Sequence, residues 1–130
     1  MREKVGQRAR RRCEYCQAPQ DICAYTFHLE HIIPCSKGGP DTMANYALAC
    51  FPCNNAKGAH RTGTDPETGK DEPLFNPRKQ KWDEHFEWTK DFKRIRGKTP
   101  AGRATVLRLK MNERLQIEAR PLWVMTETWP

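Results

Sequence analysis

Two Cys-x-x-Cys pairs, Cys13/Cys16 and Cys50/Cys53, stand on either side of residues 28–34 (HLEHIIP), where two imidazoles and a carboxylate interrupt apolar residues. Each pair presents two thiolates to one tetrahedral ion, so two matched pairs complete a structural zinc site. One such pair suits a redox dithiol equally well, whereas two in a small basic chain favour zinc. Leu29, Ile32 and Ile33 read as a buried strand that Pro34 stops. Alternation alone would put some of His28, Glu30 and His31 on a wet face. The same residue types also bind a metal ion or move a proton near neutral pH. Cys23 and Cys35 read as small buried or half-buried thiols, with nothing beside them to lower a thiol pKa.

These side chains need elements to position them. Residues 2–12 have helix-forming composition and lead straight into the first Cys pair. Residues 24–33 read as a strand, and PCSKGGPD reads as a loop by its Pro and Gly punctuation. NYALAC returns as a short apolar strand, and PCNNAKG opens a short helix that Gly58 ends. The order is strand, loop, strand, helix. RTGTDPETGKDEP reads as a polar surface connector, LFNPR as an extended segment, and HFEWTKDFKRIRG as a hairpin turning at Lys90-Asp91. Thr99 and Pro100 predict a helix start, with Val106, Leu107 and Met111 as its apolar stripe. NERLQIEARPLW predicts a second helix, kinked or ended near Pro121. The fold class expected is α+β: a zinc-stapled core over residues 1–60, with residues 61–130 as an α/β extension packing on it within a single domain.

A chain of 130 residues allows one modest core, for which a metal staple is a useful supplement. No apolar run is long enough to span a bilayer, and the basic N-terminus lacks the apolar stretch of a secretory leader. The expected location is cytoplasmic, where thiols stay reduced and paired cysteines more often hold metal. A formal charge of +7 and a pI near 9.3 point to a polyanion, most commonly nucleic acid. Arg8, Arg10, Arg11 and Arg12 crowd the start, and Lys93, Arg94, Arg96, Lys98, Arg103, Arg108 and Lys110 crowd a later stretch. Solvated faces would look the same on charge alone. Four thiolates around zinc would lower the effective excess.

In order, the chain shows CEYC, then EHIIP, KGGPD, Asn45 and CFPCNNAKG. This sequence of motifs over residues 13–58 resembles the HNH endonuclease family, whose nuclease core is the ββα-metal fold. Each motif is common alone; their order gives the likeness its specificity. LFNPR, HFEW and TPAGRATV resemble an extension carried by some free-standing bacterial HNH proteins. The resemblance implies His31 as the general base that takes a proton from attacking water. It implies Glu30 and Asn54 as ligands of a catalytic divalent ion, Mg²⁺ or Mn²⁺, and Asn45 as the amide holding the loop that aims His31. The chain would then be a His-Asn-Asn variant, with Asn55 as a neighbour easily confused with Asn54.

Lys57, Arg10, Arg11, Arg12, Arg94, Arg96, Lys98 and Arg103 are the expected contacts to nucleic acid. His28 lies outside the minimal motif and reads as an extra ligand, a DNA contact or a packed polar residue, the last two being favoured. Glu stands at position 30 where the family more commonly has Asp. The expected substrate is double-stranded DNA with weak sequence preference, since phosphate contacts position without specifying. A non-catalytic zinc module that binds nucleic acid explains the cysteines and the charge, but not the joint presence of Glu30, His31, Asn45 and Asn54. A redox dithiol protein leaves the matched pairs without a joint purpose.

Overall fold

The computed structural model describes residues 1–126 and 129. It is an α+β fold of short helices and three two-stranded antiparallel sheets. Helix α1 (Arg2–Arg8) is shorter than expected, because Arg10 and Arg11 take left-handed φ values of 56° and 55° and turn the chain out of the helix. The turn delivers Cys13, which is followed by a tight knuckle in which the Gln17 N–H donates to the Cys13 carbonyl at 2.9 Å.

Strand β1 (His28–His31) pairs with β2 (Tyr46–Ala49) in the register His28↔Ala49, Leu29↔Leu48, Glu30↔Ala47 and His31↔Tyr46. The expected strand over 24–33 is therefore confined to four residues. Its apolar neighbours Phe27 and Ile32 pack into the core outside the ladder. Helix α2 (Phe51–Lys57) starts at Cys50, accommodates Pro52 in its first turn, and stops at Gly58, where φ is +50°. The strand, loop, strand, helix order read from the sequence is present.

The stretch read as a surface connector is instead a hairpin of β3 (Thr62–Thr64) and β4 (Asp71–Pro73). Its turn is organised from inside by Asp65, which is fully buried and accepts from the Glu67 N–H and the Thr68 hydroxyl. At Gly63 a Cβ would sit 3.1 Å from the Ala104 carbonyl, so the hairpin lies tightly on the helix beyond. LFNPR forms no strand: Leu74 and Phe75 enter the core irregularly and a turn follows.

After a single helical turn, α3 (Trp82–His85), the expected hairpin forms from β5 (Phe86–Trp88) and β6 (Ile95–Gly97). Helix α4 (Pro100–Arg108) begins as predicted, with the Thr99 hydroxyl accepting from the Gly102 N–H at 3.0 Å. Its buried face is Gly102, Ala104 and Thr105, with Leu109 and Met111 following; Leu107, expected in the stripe, is 53% exposed. Helix α5 (Arg114–Val124) runs through Pro121 without ending there.

The second half of the chain seats on the first. The Trp82 indole donates to the Tyr15 carbonyl and the Trp129 indole to the Gln17 carbonyl, both at 2.7 Å. Arg78 is ion-paired with Glu14. Arg120 is fully buried, donating to the Lys93 carbonyl at 2.7 Å and lying 5.3 Å from the Trp88 ring centre. Among the described residues no helix is long and apolar enough to cross a membrane.

Candidate metal and catalytic site

The knuckle after α1 and the first turn of α2 bring Cys13, Cys16, Cys50 and Cys53 together. Their sulfurs all lie within 4.8 Å of one another, and all four residues are buried. Burial disfavours a thiolate at Cys13, yet hydrogen bonds from Cys16, Cys50 and Cys53 hold its pKa well below the ordinary thiol range. Hydrogen bonding with Cys13 and Cys16 in turn pushes Cys50 and Cys53 up. Four buried sulfurs crowded this closely ionise together only around a cation. The group can thus hold a metal ion, and its all-sulfur donor set suits a soft or borderline one. Cys23 stands apart, half-buried and donating to the Pro19 carbonyl at 3.3 Å, and Cys35 is exposed.

The second candidate centre lies where β1 meets α2. An open concavity of about 250 Å³ is lined by Leu29, Glu30, His31, Pro34, Cys35, Ser36, Asn54, Gly58 and Ala59. Glu30 and His31 from β1 and Asn54 from α2 thus border one concavity, although Glu30 and His31 leave opposite faces of the strand. Asn55 is exposed on α2 and does not line the concavity. His28 does not line it either; its ring is half-buried, 6.2 Å from the Phe51 ring. A larger groove of about 520 Å³ between Pro52 and α5 holds none of these residues, so size alone does not mark the site.

Glu30 is 4% exposed. Its Oε2 accepts from the Tyr15 hydroxyl at 2.7 Å, and Tyr15 belongs to the first cysteine knuckle. Its Oε1 lies 2.5 Å from the Lys57 ammonium but accepts no hydrogen bond of good geometry. Burial raises the carboxyl pKa, against the pull of Lys57 and Tyr15. Lys57, expected at the surface against phosphate, is 2% exposed and donates to the Ile32 carbonyl at 3.1 Å. The correction has a plain cause: a buried carboxylate needs a buried counter-charge.

Removing one partner of such a pair strands the other. Lys57→Met is therefore expected to cost about 3–5 kcal/mol in chemical denaturation. Adding Glu30→Gln should recover part of that loss. A loss under about 1 kcal/mol would mean that the pair is not held dry.

His31 is half-buried at the rim, with its ring 5.1 Å from that of Tyr46 and its Nε2 2.6 Å from Asp41 Oδ1. The hydrogen bond from His31 holds the Asp41 carboxyl below the usual carboxylate range. Sequence reasoning gave Asp41 no role; its place in the KGGPD loop was the only signal. Asn45 is buried, and its amide closes that loop. Oδ1 accepts from the Ile33 N–H at 2.8 Å, while Nδ2 donates to the Ile33 and Pro40 carbonyls at 3.0 Å each. The loop passes so close that a Cβ at Gly39 would lie 1.7 Å from the Ile33 carbonyl oxygen. The Asn54 side chain has no hydrogen bond among the described residues, and it faces a concavity with a carboxylate and an imidazole.

The expected nucleic-acid contacts divide. Arg10, Arg11, Arg94, Arg96 and Lys98 are exposed, and Arg12 is half-buried. Arg11 and Arg96 make long ion pairs of 3.4 Å with Asp21 and Glu87. Arg103 is not available in the same way: it grips the buried Asp65 through Nε and Nη2 at 2.9 and 2.8 Å, and pairs with Glu67. It serves the β3–β4 turn, which explains why a helix residue read as a phosphate contact is engaged within the chain.

Residues 13–60 match one family model, described as HNH endonuclease. No curated protein and no solved structure matches the chain.

Proposed function

We propose, from the match of residues 13–60 to the HNH endonuclease family and the nuclease-type activity it implies, a divalent-metal-dependent endonuclease that hydrolyses phosphodiester bonds in double-stranded DNA. The observation that carries the reading is the single concavity lined by Glu30, His31 and Asn54. Phosphodiester hydrolysis needs an activated water, charge stabilisation at the phosphate and help for the departing oxygen.

His31 is the general base: its imidazole takes the proton of a water that attacks phosphorus. Glu30 and Asn54 supply hard oxygen donors, and at Glu30 the ion would share the carboxylate with the Lys57 ammonium, 2.5 Å from Oε1. A Mg²⁺ or Mn²⁺ ion held there would stabilise the phosphate charge and the 3′ leaving oxygen. Asn45 keeps the loop closed beside His31. Tyr15 ties Glu30 to the cysteine knuckle, so the staple and the site share one scaffold.

At the four cysteines the proposed ion is zinc. Zinc–sulfur bonds of about 2.3 Å in a tetrahedron separate the sulfurs by about 3.8 Å. The Cys16 and Cys50 sulfurs are 3.6 Å apart. Arg10, Arg11, Arg94, Arg96 and Lys98 would meet the DNA backbone, giving affinity with weak sequence preference. Residues 1–60 are then the catalytic core and residues 61–130 an extension packed on it.

The test is incubation with supercoiled plasmid and Mg²⁺, Mn²⁺ or EDTA, with zinc content measured before and after. Nicked or linear product is expected with an added ion and none in EDTA. DNA binding without cleavage under either ion would overturn the reading in favour of a non-catalytic zinc module.

A further inference from the structure

Asp41 sits in the loop between β1 and β2, with its carboxylate against the imidazole of His31, whose Nε2 lies 2.6 Å from Oδ1. Tyr46 is buried and stands directly opposite His31 in the strand register, so its ring packs beside the imidazole it helps to frame. The loop is not free to drift. Asn45 bonds the carbonyl of Pro40, the residue before Asp41, and Gly39 permits the closest approach to Ile33.

An ionised carboxylate only accepts hydrogen bonds. A neutral imidazole 2.6 Å away must therefore carry its proton on Nε2 and donate it to Asp41. That choice leaves the lone pair on Nδ1, which no group of the described residues engages. We propose that Asp41 is a positioning residue: it fixes the tautomer and the orientation of His31, so that Nδ1 is the atom that takes the proton from water. The proposal rests on His31 being the base. A carboxylate behind a catalytic imidazole works by holding the correct tautomer and by stabilising the imidazolium once it forms. Asp41 has a side chain 74% exposed, so its hold is weaker than a buried carboxylate's would be.

The test pairs activity with a signature that a merely structural role would not move. Full-length parent, Asp41→Ala and Asp41→Glu are compared in plasmid nicking with Mg²⁺, with circular dichroism to confirm folding. Their histidine side chains are compared by nitrogen-15 NMR, with the His31 signals assigned by their absence in His31→Ala. The parent ring, when neutral, is expected to show protonated Nε2 and bare Nδ1. Asp41→Ala should mix the two tautomers and slow nicking by roughly ten- to a hundredfold. Asp41→Glu, which keeps the carboxylate on a longer arm, should restore part of both.

Asp41→Ala nicking at the parent rate would overturn the proposal. So would slower nicking with an unchanged nitrogen-15 pattern, because Asp41 would then act by some means other than the ring. A parent that does not nick at all would overturn the reading beneath the proposal, and that failure shows in the parent rather than in the Asp41 variants.

Discussion

Cys13→Ser is expected to abolish the folded core together with the bound zinc, instead of merely slowing catalysis. Cys13 is fully buried, and its sulfur receives the Cys16 N–H at 3.4 Å. With Cys16, Cys50 and Cys53 it belongs to the same buried cluster as Tyr15, Leu48 and Ala49. A zinc ion there would join the start of the chain to the junction of β2 and α2, closing the long segment that contains the candidate site.

Structural zinc in small domains contributes an apparent ~10–16 kcal/mol at neutral pH. The whole stability of a domain this size is about 5–15 kcal/mol. Loss of the ion is therefore comparable to loss of the entire folding free energy. Metal analysis should find one zinc per chain in the parent and none in Cys13→Ser, and the variant should lose its cooperative thermal transition. A folded, zinc-loaded Cys13→Ser protein would contradict this account. Cys23→Ser is the control: that thiol donates to the Pro19 carbonyl outside the cluster, and zinc content should not change.

Local features of this chain were legible where the physics is local. The paired cysteines announce a shared site because the x-x spacing fixes two sulfurs on one knuckle. Thr99 and Pro100 announce a helix start because capping and a fixed φ act within one turn. Gly58 ends α2 because it alone there relaxes into positive φ. The hairpin of β3 and β4 was missed because Thr62-Gly63-Thr64 lacks the apolar alternation of a strand. What holds it is Gly63 against α4 and Asp65 against Arg103, contacts made far along the chain.

Lys57 shows the same limit inside the site. A lysine in the last turn of a short helix within a basic chain reads as a surface contact to phosphate. Its burial follows from Glu30, which is itself buried by the pairing of β1 with β2. Neither fact is written in the neighbourhood of Lys57. Asp41 was invisible for a related reason: its contact with His31 exists only once the intervening loop is closed by Asn45 and Gly39. The motif order suggested which residues to look at, and the geometry supplied their partners.

The central claim is that His31 moves the proton in a site where Glu30 and Asn54 hold the catalytic ion. His31 has a half-exposed side chain at the rim, so His31→Ala should fold, bind DNA and bind the divalent ion. Loss of a general base costs roughly a hundred- to ten-thousandfold in rate. His28 stands against Phe51 and away from the concavity, so His28→Ala should cost far less. The decisive measurement is plasmid nicking by the parent, His31→Ala and His28→Ala across a Mg²⁺ or Mn²⁺ titration, with circular dichroism on each. The account predicts that His31→Ala falls by at least about a hundredfold at every ion concentration while His28→Ala stays near the parent. If His31→Ala nicks like the parent while His28→Ala is inactive, the base lies on the other face of β1 and the account is wrong.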